Sequence, residues 1–131
     1  METYNFGEHL MLDGYGGDYE KLNNRNLVLL SLNELPDKLG MKKLSEPCVF
    51  EAADNEIKDP GGFSGFVVIM ESHISVHTFP ARKFISIDVY TCRNGLNRDM
   101  IKKYFANLFN LQNIEENFVI RGKKYPAQNI S

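Results

Sequence analysis

Residues 63–90 read FSGFVVIMESHISVHTFPARKFISIDVY. The apolar run Phe66 to Ile69 dominates the first third, which predicts a strand over 63–71 at the centre of a sheet. Polar and apolar residues then alternate with a period of two over 73–77 and again over 84–90. This alternation predicts two half-buried strands on either side of Pro80. Three strands in succession favour an antiparallel sheet.

The flanking sequence predicts three further strands, over 6–13, 44–52 and 114–120. The first ends at a glycine-rich turn over 14–17, and the second places Cys48 in the core. Between these two strands we expect a helix that starts at Asn24 or Asn26 and ends at Gly40, with a kink or restart at Pro36. Its apolar face is predicted from the spacing of Leu27, Leu30, Leu35 and Leu39.

A second helix is expected after Asn97, a good N-cap residue. Its apolar face contains Met100, Ile101, Tyr104, Phe105 and Leu108. The predicted order is therefore βαββββαβ. It indicates an α+β fold, a two-layer α/β sandwich in which two helices pack on one face of an antiparallel β-sheet. With 131 residues and no linker or repeat, the chain is expected to form a single domain over 1–131.

Composition excludes several classes of function. Fifteen basic and seventeen acidic residues give a net charge of −2, which is too small a field to indicate a nucleic-acid or membrane partner. No apolar run approaches the roughly 20 residues of a membrane span, and no secretory signal is visible, so we expect a cytoplasmic protein. In that compartment Cys48 and Cys92 are expected as thiols.

The densest group of reactive side chains lies in 71–77, where a carboxylate, two hydroxyls and two imidazoles occur together. His77 with Asp88 leaves a hydrolase triad open, although no Gly-x-Ser-x-Gly motif is present. His9, His73, His77 and Cys92 are candidate metal ligands, but they lack the spacing of a known motif, and no metal is expected.

Three segments carry a resemblance to a known family. They are Ser64-Gly65, the motif Glu71-Ser72-His73-Ile74-Ser75-Val76-His77-Thr78-Phe79-Pro80, and Asp88-Val89-Tyr90-Thr91-Cys92. With Gly7-x-His9 and Asp13 in the first strand, these closely resemble the bacterial and archaeal S-adenosylmethionine decarboxylase proenzymes. The spacing of Ser64, Ser72, His77 and Cys92 is the family's own.

The resemblance implies that the chain cleaves itself. The hydroxyl of Ser72 would attack the carbonyl of Glu71, and β-elimination would then convert Ser72 to a pyruvoyl group. The products would be a beta chain, residues 1–71, and an alpha chain, residues 72–131. Glu71, Ser72, Ser64 and His77 match the residues of this processing step.

The resemblance also implies the catalytic residues Ser72, His77 and Cys92. The pyruvoyl cofactor generated from Ser72 would form a Schiff base with the substrate amine and accept the electrons released with carbon dioxide. The Cys92 thiol would then protonate the substrate carbon. With S-adenosylmethionine as substrate, the product is the aminopropyl donor for spermidine synthesis. Members of this type pair as homodimers, so Ser64 and His77 are expected to serve the partner's site.

The sequence departs from the family at the substrate. Ala81 replaces the acidic residue that commonly binds the ribose hydroxyls, and a methyl group accepts no hydrogen bond. Lys58 stands where an aromatic ring commonly stacks on adenine, and Arg93 replaces the glycine that follows the catalytic cysteine. Both substrate changes weaken the expected affinity for S-adenosylmethionine.

An acidic loop offers an alternative substrate class. Asp54, Glu56 and Asp59 surround Lys58, and we name Asp13, Glu56, Asp59 and Glu71 as candidate substrate-binding residues. Carboxylates there favour a substrate with a distal cation, which points to a pyruvoyl-dependent arginine or ornithine decarboxylase. A third alternative is a non-catalytic relative that regulates a catalytic partner.

Overall fold

The computed structural model describes residues 1–54 and 60–131. Glu56, Lys58 and Asp59 lie outside the described residues. The strands are β1 (Thr3–Tyr4), β2 (Gly7–Tyr15), β3 (Cys48–Ala52), β4 (Gly62–Ile69), β5 (Ser72–Phe79), β6 (Phe84–Thr91), β7 (Asn113–Arg121) and β8 (Tyr125–Pro126). The helices are α1 (Tyr19–Leu22), α2 (Arg25–Lys38) and α3 (Arg98–Phe109), with a 3-10 turn over Pro80–Arg82.

Six of the strands form one antiparallel sheet in the order β3-β4-β5-β6-β2-β7. The two-residue strands β1 and β8 form a separate pair near the chain ends. The predicted α+β sandwich with an antiparallel sheet is therefore confirmed. The prediction lacked α1, β1 and β8, each too short to show a periodicity.

The core lies between one face of the sheet and the helices. Alternate residues of the strands and the inner faces of α2 and α3 are buried there; among them are Leu10, Leu12, Val28, Leu32, Leu35, Val67, Ile74, Val76, Ile87, Val89, Ile101, Phe105 and Phe109. Each such side chain stabilises the fold by about 1.5–3 kcal/mol relative to exposure. The opposite face of the sheet, which we call the open face, carries exposed apolar side chains and polar groups in the described part of the chain.

The helix caps follow the prediction, and so does most of the predicted apolar face of α2, because Leu35 is buried and Leu27 and Leu39 pack against the core. Asn24 and Asn97 accept hydrogen bonds at the starts of α2 and α3 from the backbone N–H groups of Leu27 and Met100. Leu30 is 42% exposed, so its predicted place on the apolar face is wrong. The buried positions of α2 are Val28, Ser31, Leu32, Leu35 and Pro36, the helical series i, i+3, i+4, i+7 and i+8. The predicted restart at Pro36 is also wrong, because this buried proline lies within a single helix.

Three predictions about strands β3 and β4 need correction. β3 begins at Cys48 rather than at residue 44. Cys48 is exposed rather than in the core, because it lies opposite Phe66 in the β3–β4 register and both side chains point to the open face. β4 is not the central strand: it lies second in the sheet, and its apolar run splits between faces. Val67 is buried whereas Val68 is 37% exposed.

No helix among the described residues is long and apolar enough to cross a membrane.

Candidate active site

Most of the predicted site residues lie on the open face or at its edge. Side chains alternate between the two faces of a strand, so those of β5 that do not enter the core point to the open face. His73, Ser75 and His77 have this parity, and each is opposite a β6 residue of the same parity. The sheet therefore presents a polar strip on the face that the helices leave uncovered.

One group of reactive side chains lies at the turn between β4 and β5. The Ser72 hydroxyl donates a hydrogen bond of 2.6 Å to the carbonyl oxygen of Glu71. The sulfur of Cys92 lies 3.8 Å from the carbonyl oxygen of Met70, the residue that precedes Glu71. The nucleophile predicted for self-cleavage and the predicted acid thus meet at one turn. We call Glu71, Ser72 and Cys92 the cleavage cluster.

A second group lies at the other end of β5. Ser64 and His77 are opposite each other in the β4–β5 register, and the Ser64 hydroxyl lies 2.8 Å from Nδ1 of His77. A hydroxyl bonded to an imidazole is suited to proton transfer. We call these two residues the Ser64–His77 pair.

The two groups do not meet within one chain. Ser72 and His77 are five residues apart on β5, which corresponds to about 16 Å along a strand. An odd separation also gives the two side chains opposite parity. Two of the three predicted catalytic residues, Ser72 and Cys92, are therefore together, and His77 is with Ser64.

Asp88 pairs with a different histidine than a triad requires. Its carboxylate lies 2.9 Å from Nε2 of His9 and accepts a 3.4 Å hydrogen bond from Ser75. His77 is hydrogen-bonded to Ser64 instead, so the His77–Asp88 pairing that a hydrolase triad would need is not formed. Within residues 1–54 and 60–131, no three His, Cys, Asp or Glu side chains form a group that could hold a metal ion.

Asp13 belongs to an acidic neighbourhood near the Ser64–His77 pair. It is opposite Glu115 on β7 and opposite Ser86 on β6, and Ser86 is in turn opposite His77. Partial burial, then the charges of Glu115 and Asp88, raise the pKa of the Asp13 carboxyl. Asp13 is thus two strands from His77 and lies in the same row across the sheet.

Tyr15 also contacts this neighbourhood. Its hydroxyl donates a short hydrogen bond to the carboxylate of Glu115, and that bond raises the pKa of the tyrosine. The acidic neighbourhood therefore contains the carboxylates of Asp13 and Glu115 beside the phenol of Tyr15, and two carboxylates favour a cationic neighbour.

Ala81 borders a separate cavity of about 270 Å³ at the edge of the sheet. The cavity is also lined by Tyr19, Asn23, Glu51 and Asp54. The exposed methyl group of Ala81 offers no hydrogen bond there, as the sequence indicates. Of the candidate substrate residues, Glu71 lies in the cleavage cluster and Asp13 near the Ser64–His77 pair, whereas Glu56 and Asp59 lie outside the described residues.

Two residues beside Cys92 were missed as site residues. Glu8 is 7% exposed, and its carboxylate binds the backbone of the segment after Cys92. Arg93 stands out in the sequence only because it replaces a glycine of the family. A signal for Glu8 exists in the sequence. It has the same parity as Leu10 and Leu12, so the strand pattern places a carboxylate on the core face.

Comparison with known proteins identifies the family of this chain. The family model described as S-adenosylmethionine decarboxylase matches residues 8–122. An S-adenosylmethionine decarboxylase proenzyme of Clostridium botulinum strain Langeland is 31% identical over 117 residues, 89% of this chain and 95% of the relative. A proenzyme of the same description from Clostridium kluyveri is 32% identical over 116 residues, 88% of this chain and 86% of the relative.

A solved structure shows the same fold. The crystal structure of the adenosylmethionine decarboxylase from Aquifex aeolicus VF5 superposes with a TM-score of 0.79 at 25% identity, over 96% of this chain and 98% of that one. The sequence matches and the shared fold cover nearly the whole chain, and the chain belongs to the S-adenosylmethionine decarboxylase family, a family of pyruvoyl-dependent carboxy-lyases.

Proposed function

We propose that this chain is a self-processing, pyruvoyl-dependent decarboxylase whose first candidate substrate is S-adenosylmethionine. The observation that carries the proposal is the cleavage cluster. The Ser72 hydroxyl is bonded to the Glu71 carbonyl, and the Cys92 sulfur lies beside the same turn. A serine fixed against its preceding carbonyl fits the formation of a pyruvoyl group.

Self-cleavage proceeds from this geometry in two stages. The Ser72 oxygen attacks the Glu71 carbonyl carbon, the peptide C–N bond breaks, and an ester forms while the nitrogen becomes a free amine. A base then removes the Ser72 α-proton, and the Cβ–O bond breaks to release the Glu71 carboxylate. The resulting dehydroalanine takes up water and loses ammonia, which leaves a pyruvoyl group on residues 72–131. Residues 1–71 are the other product.

Decarboxylation then depends on where a proton is delivered. The pyruvoyl ketone supplies an electron sink for the amine of a bound substrate as carbon dioxide leaves. Cys92 holds the proton that the substrate carbon receives, because its sulfur lies at the turn where the new chain end forms.

We propose that a second copy of the chain completes each site. The Ser64–His77 pair lies about 16 Å along β5 from Ser72 in its own chain, beyond the reach of a proton transfer. The open face also carries exposed apolar side chains, Phe50, Phe66, Val68 and Met70. A homodimer that covers this face buries these side chains and brings the Ser64–His77 pair of one protomer toward the cleavage cluster of its partner.

A second substrate class is supported by a specific observation. Ala81 cannot accept hydrogen bonds from ribose hydroxyls, and Asp13 and Glu115 place two carboxylates on the open face. These carboxylates favour a substrate with a distal ammonium or guanidinium, as in ornithine or arginine. Retention of Ser72, His77 and Cys92 argues against a non-catalytic regulatory role.

Two measurements test the function. The intact mass of the purified protein under denaturing, reducing conditions is expected to show two chains split between Glu71 and Ser72, with pyruvoyl at the start of the second. Release of labelled carbon dioxide from S-adenosylmethionine, arginine and ornithine then assigns the substrate. A persistent single chain of 15.0 kDa that releases carbon dioxide from none of them contradicts the proposal.

A further inference from the structure

Cys92 lies in a segment that no regular element holds. The last β2–β6 pair joins Glu8 to Thr91, and α3 begins at Arg98. Residues 92–96 therefore lie outside the sheet ladder and the helices, and α3 reaches the segment through a hydrogen bond of 3.0 Å from the N–H of Arg98 to the carbonyl oxygen of Leu96. The distant side chain of Glu8 binds this segment, and the side chain of Arg93 within the segment binds distant backbone.

Glu8 binds the C-terminal part of the segment, at Gly95 and Leu96. Its carboxylate accepts two backbone hydrogen bonds, one of 2.9 Å from the N–H of Gly95 and one of 2.8 Å from the N–H of Leu96. The side chain lies on the core face and is only 7% exposed. A buried carboxylate is costly unless its oxygens are bonded, so these two N–H groups and the Glu8 charge depend on each other.

Arg93, at the N-terminal part of the segment and next to Cys92, binds the backbone that follows α2. Its guanidinium donates to the carbonyl oxygens of Leu39, at 3.2 Å, and Gly40, at 2.6 Å, just past the end of α2. A cation at the C-terminus of a helix is favourably placed. The Arg93 N–H also donates to the buried Thr91 hydroxyl at 3.1 Å. The residue after Cys92 is thereby fixed to two elements.

Gly7 fixes the strand beneath Cys92. A β-carbon at this position would lie 2.0 Å from the Thr91 carbonyl oxygen and 2.9 Å from the Cys92 α-carbon. The backbones of β2 and of Cys92 thus approach as closely as a glycine permits. Glu8, the next residue, then reaches past Thr91 to the segment.

We propose that Glu8 and Arg93 are positioning residues for the Cys92 thiol. They hold the segment at both ends, so that the sulfur stays beside the turn at which the pyruvoyl group forms. The consequence for turnover rests on the proposed function, in which Cys92 donates a proton. A displacement of about 1 Å at a reacting group can slow a reaction on the order of a hundredfold.

Thiol alkylation tests the positioning without any turnover. The purified protein is treated with iodoacetamide, and the modification of Cys92 is measured by peptide mass spectrometry against the exposed Cys48 as an internal reference. Glu8→Gln and Arg93→Met are each expected to raise the Cys92 to Cys48 rate ratio by about threefold or more, because the released segment opens more often. Glu20→Gln, at an exposed glutamate on α1, is the control.

Kinetics separate positioning from a general loss of structure. In Glu8→Gln we expect kcat to fall about tenfold, with KM changed by less than about twofold and the rate of self-cleavage retained. Arg93→Lys, which keeps the charge and one donor group, is expected to recover part of the kcat lost in Arg93→Met. A purely structural role would slow cleavage and turnover together.

The outcomes distinguish this proposal from the proposed function. An alkylation ratio that does not rise in either variant overturns the positioning role, and so does self-cleavage that slows as much as kcat. A wild-type chain that neither cleaves nor releases carbon dioxide overturns the proposed function instead. In that case the alkylation ratio, measured on the same intact chain, still decides whether Glu8 and Arg93 fix Cys92.

Discussion

The two ends of β5 differ in what one chain can do alone. At its start, Ser72 lies against Glu71, and the Cys92 sulfur lies near the same turn. Near its other end, His77 is hydrogen-bonded to Ser64 of β4, far from the peptide bond between Glu71 and Ser72. One end holds the groups that are proposed to change covalently, and the other holds groups suited to moving protons. The distance between them is the basis for the proposal that a second copy of the chain completes each site.

The largest effect is expected at the covalent end. Ser72→Ala should abolish self-cleavage and turnover, because the ester and the pyruvoyl group both require the serine oxygen. Intact mass is expected to show one chain of unchanged length, and circular dichroism should retain the wild-type spectrum. Cleavage between Glu71 and an alanine would show that another nucleophile acts.

Mixing two defective variants tests the separation of the two ends. His77→Ala is expected to cleave slowly by itself, and Ser72→Ala not at all. In a refolded mixture, the Ser72 of one variant faces the His77 of the other across the proposed dimer, so the His77→Ala chain should cleave faster. Mass spectrometry follows the appearance of 72–131 from that chain.

Two controls sharpen the mixing experiment. His77→Ala refolded with itself should keep its slow rate at the same total protein concentration. His77→Ala mixed with a Ser64→Ala, His77→Ala double variant should not recover. Cleavage of His77→Ala that is unchanged by the Ser72→Ala partner would place the pair outside the partner's site.

The sequence predicted the position of each end but not their relation. The motif spacing selected Ser64, Ser72, His77 and Cys92, and the period of two located β5 and β6. Strand register depends on pairing between distant segments, so the sequence did not indicate that Ser64 lies opposite His77, or that Asp88 bonds His9 rather than His77. Cys48 was misplaced for the same reason, because an apolar strand segment alone does not say which of its side chains face the core. Leu30 was misplaced because packing against the sheet selects which residues of α2 are buried.

Helix starts and the apolar face of α3 were predicted correctly, and on α2 only Leu30 was misplaced. Asn24 and Asn97 cap their helices through hydrogen bonds that involve only the next few residues, so local sequence suffices. The contacts that Glu8 and Arg93 make around Cys92 join residues that are far apart in the chain, and no local sequence pattern specifies these contacts. The buried parity of Glu8 was the one available signal.

Cys92→Ala is expected to separate self-cleavage from decarboxylation. The thiol takes no covalent part in forming the ester, so cleavage should occur at close to the wild-type rate, whereas kcat should fall about a hundredfold because the proton donor is lost. Parallel measurement of chain mass and carbon dioxide release checks this. An uncleaved Cys92→Ala chain would assign the thiol to processing.

The smallest effect concerns stability at the His77 end, where like charges meet. Asp13 lies opposite Glu115, and burial followed by the charges of Glu115 and Asp88 raises its pKa above 3.8. The folded state therefore binds the Asp13 proton more tightly than the unfolded state does. The stability that this gives is complete below pH 3.8 and is lost as the pH rises through the raised pKa.

Asp13→Asn should consequently raise the Tm at neutral pH by about 1 to 3 °C, the scale of a like-charge cross-strand pair, and should leave it unchanged near pH 3. Thermal unfolding of the Ser72→Ala chain at both pH values measures this without interference from cleavage, and Glu46→Gln at an exposed position is the control. An equal rise at both pH values would mean that the gain comes from the asparagine itself. A pH-dependent gain would show that the open face carries a repulsion within one chain, which a cationic substrate bound there would relieve.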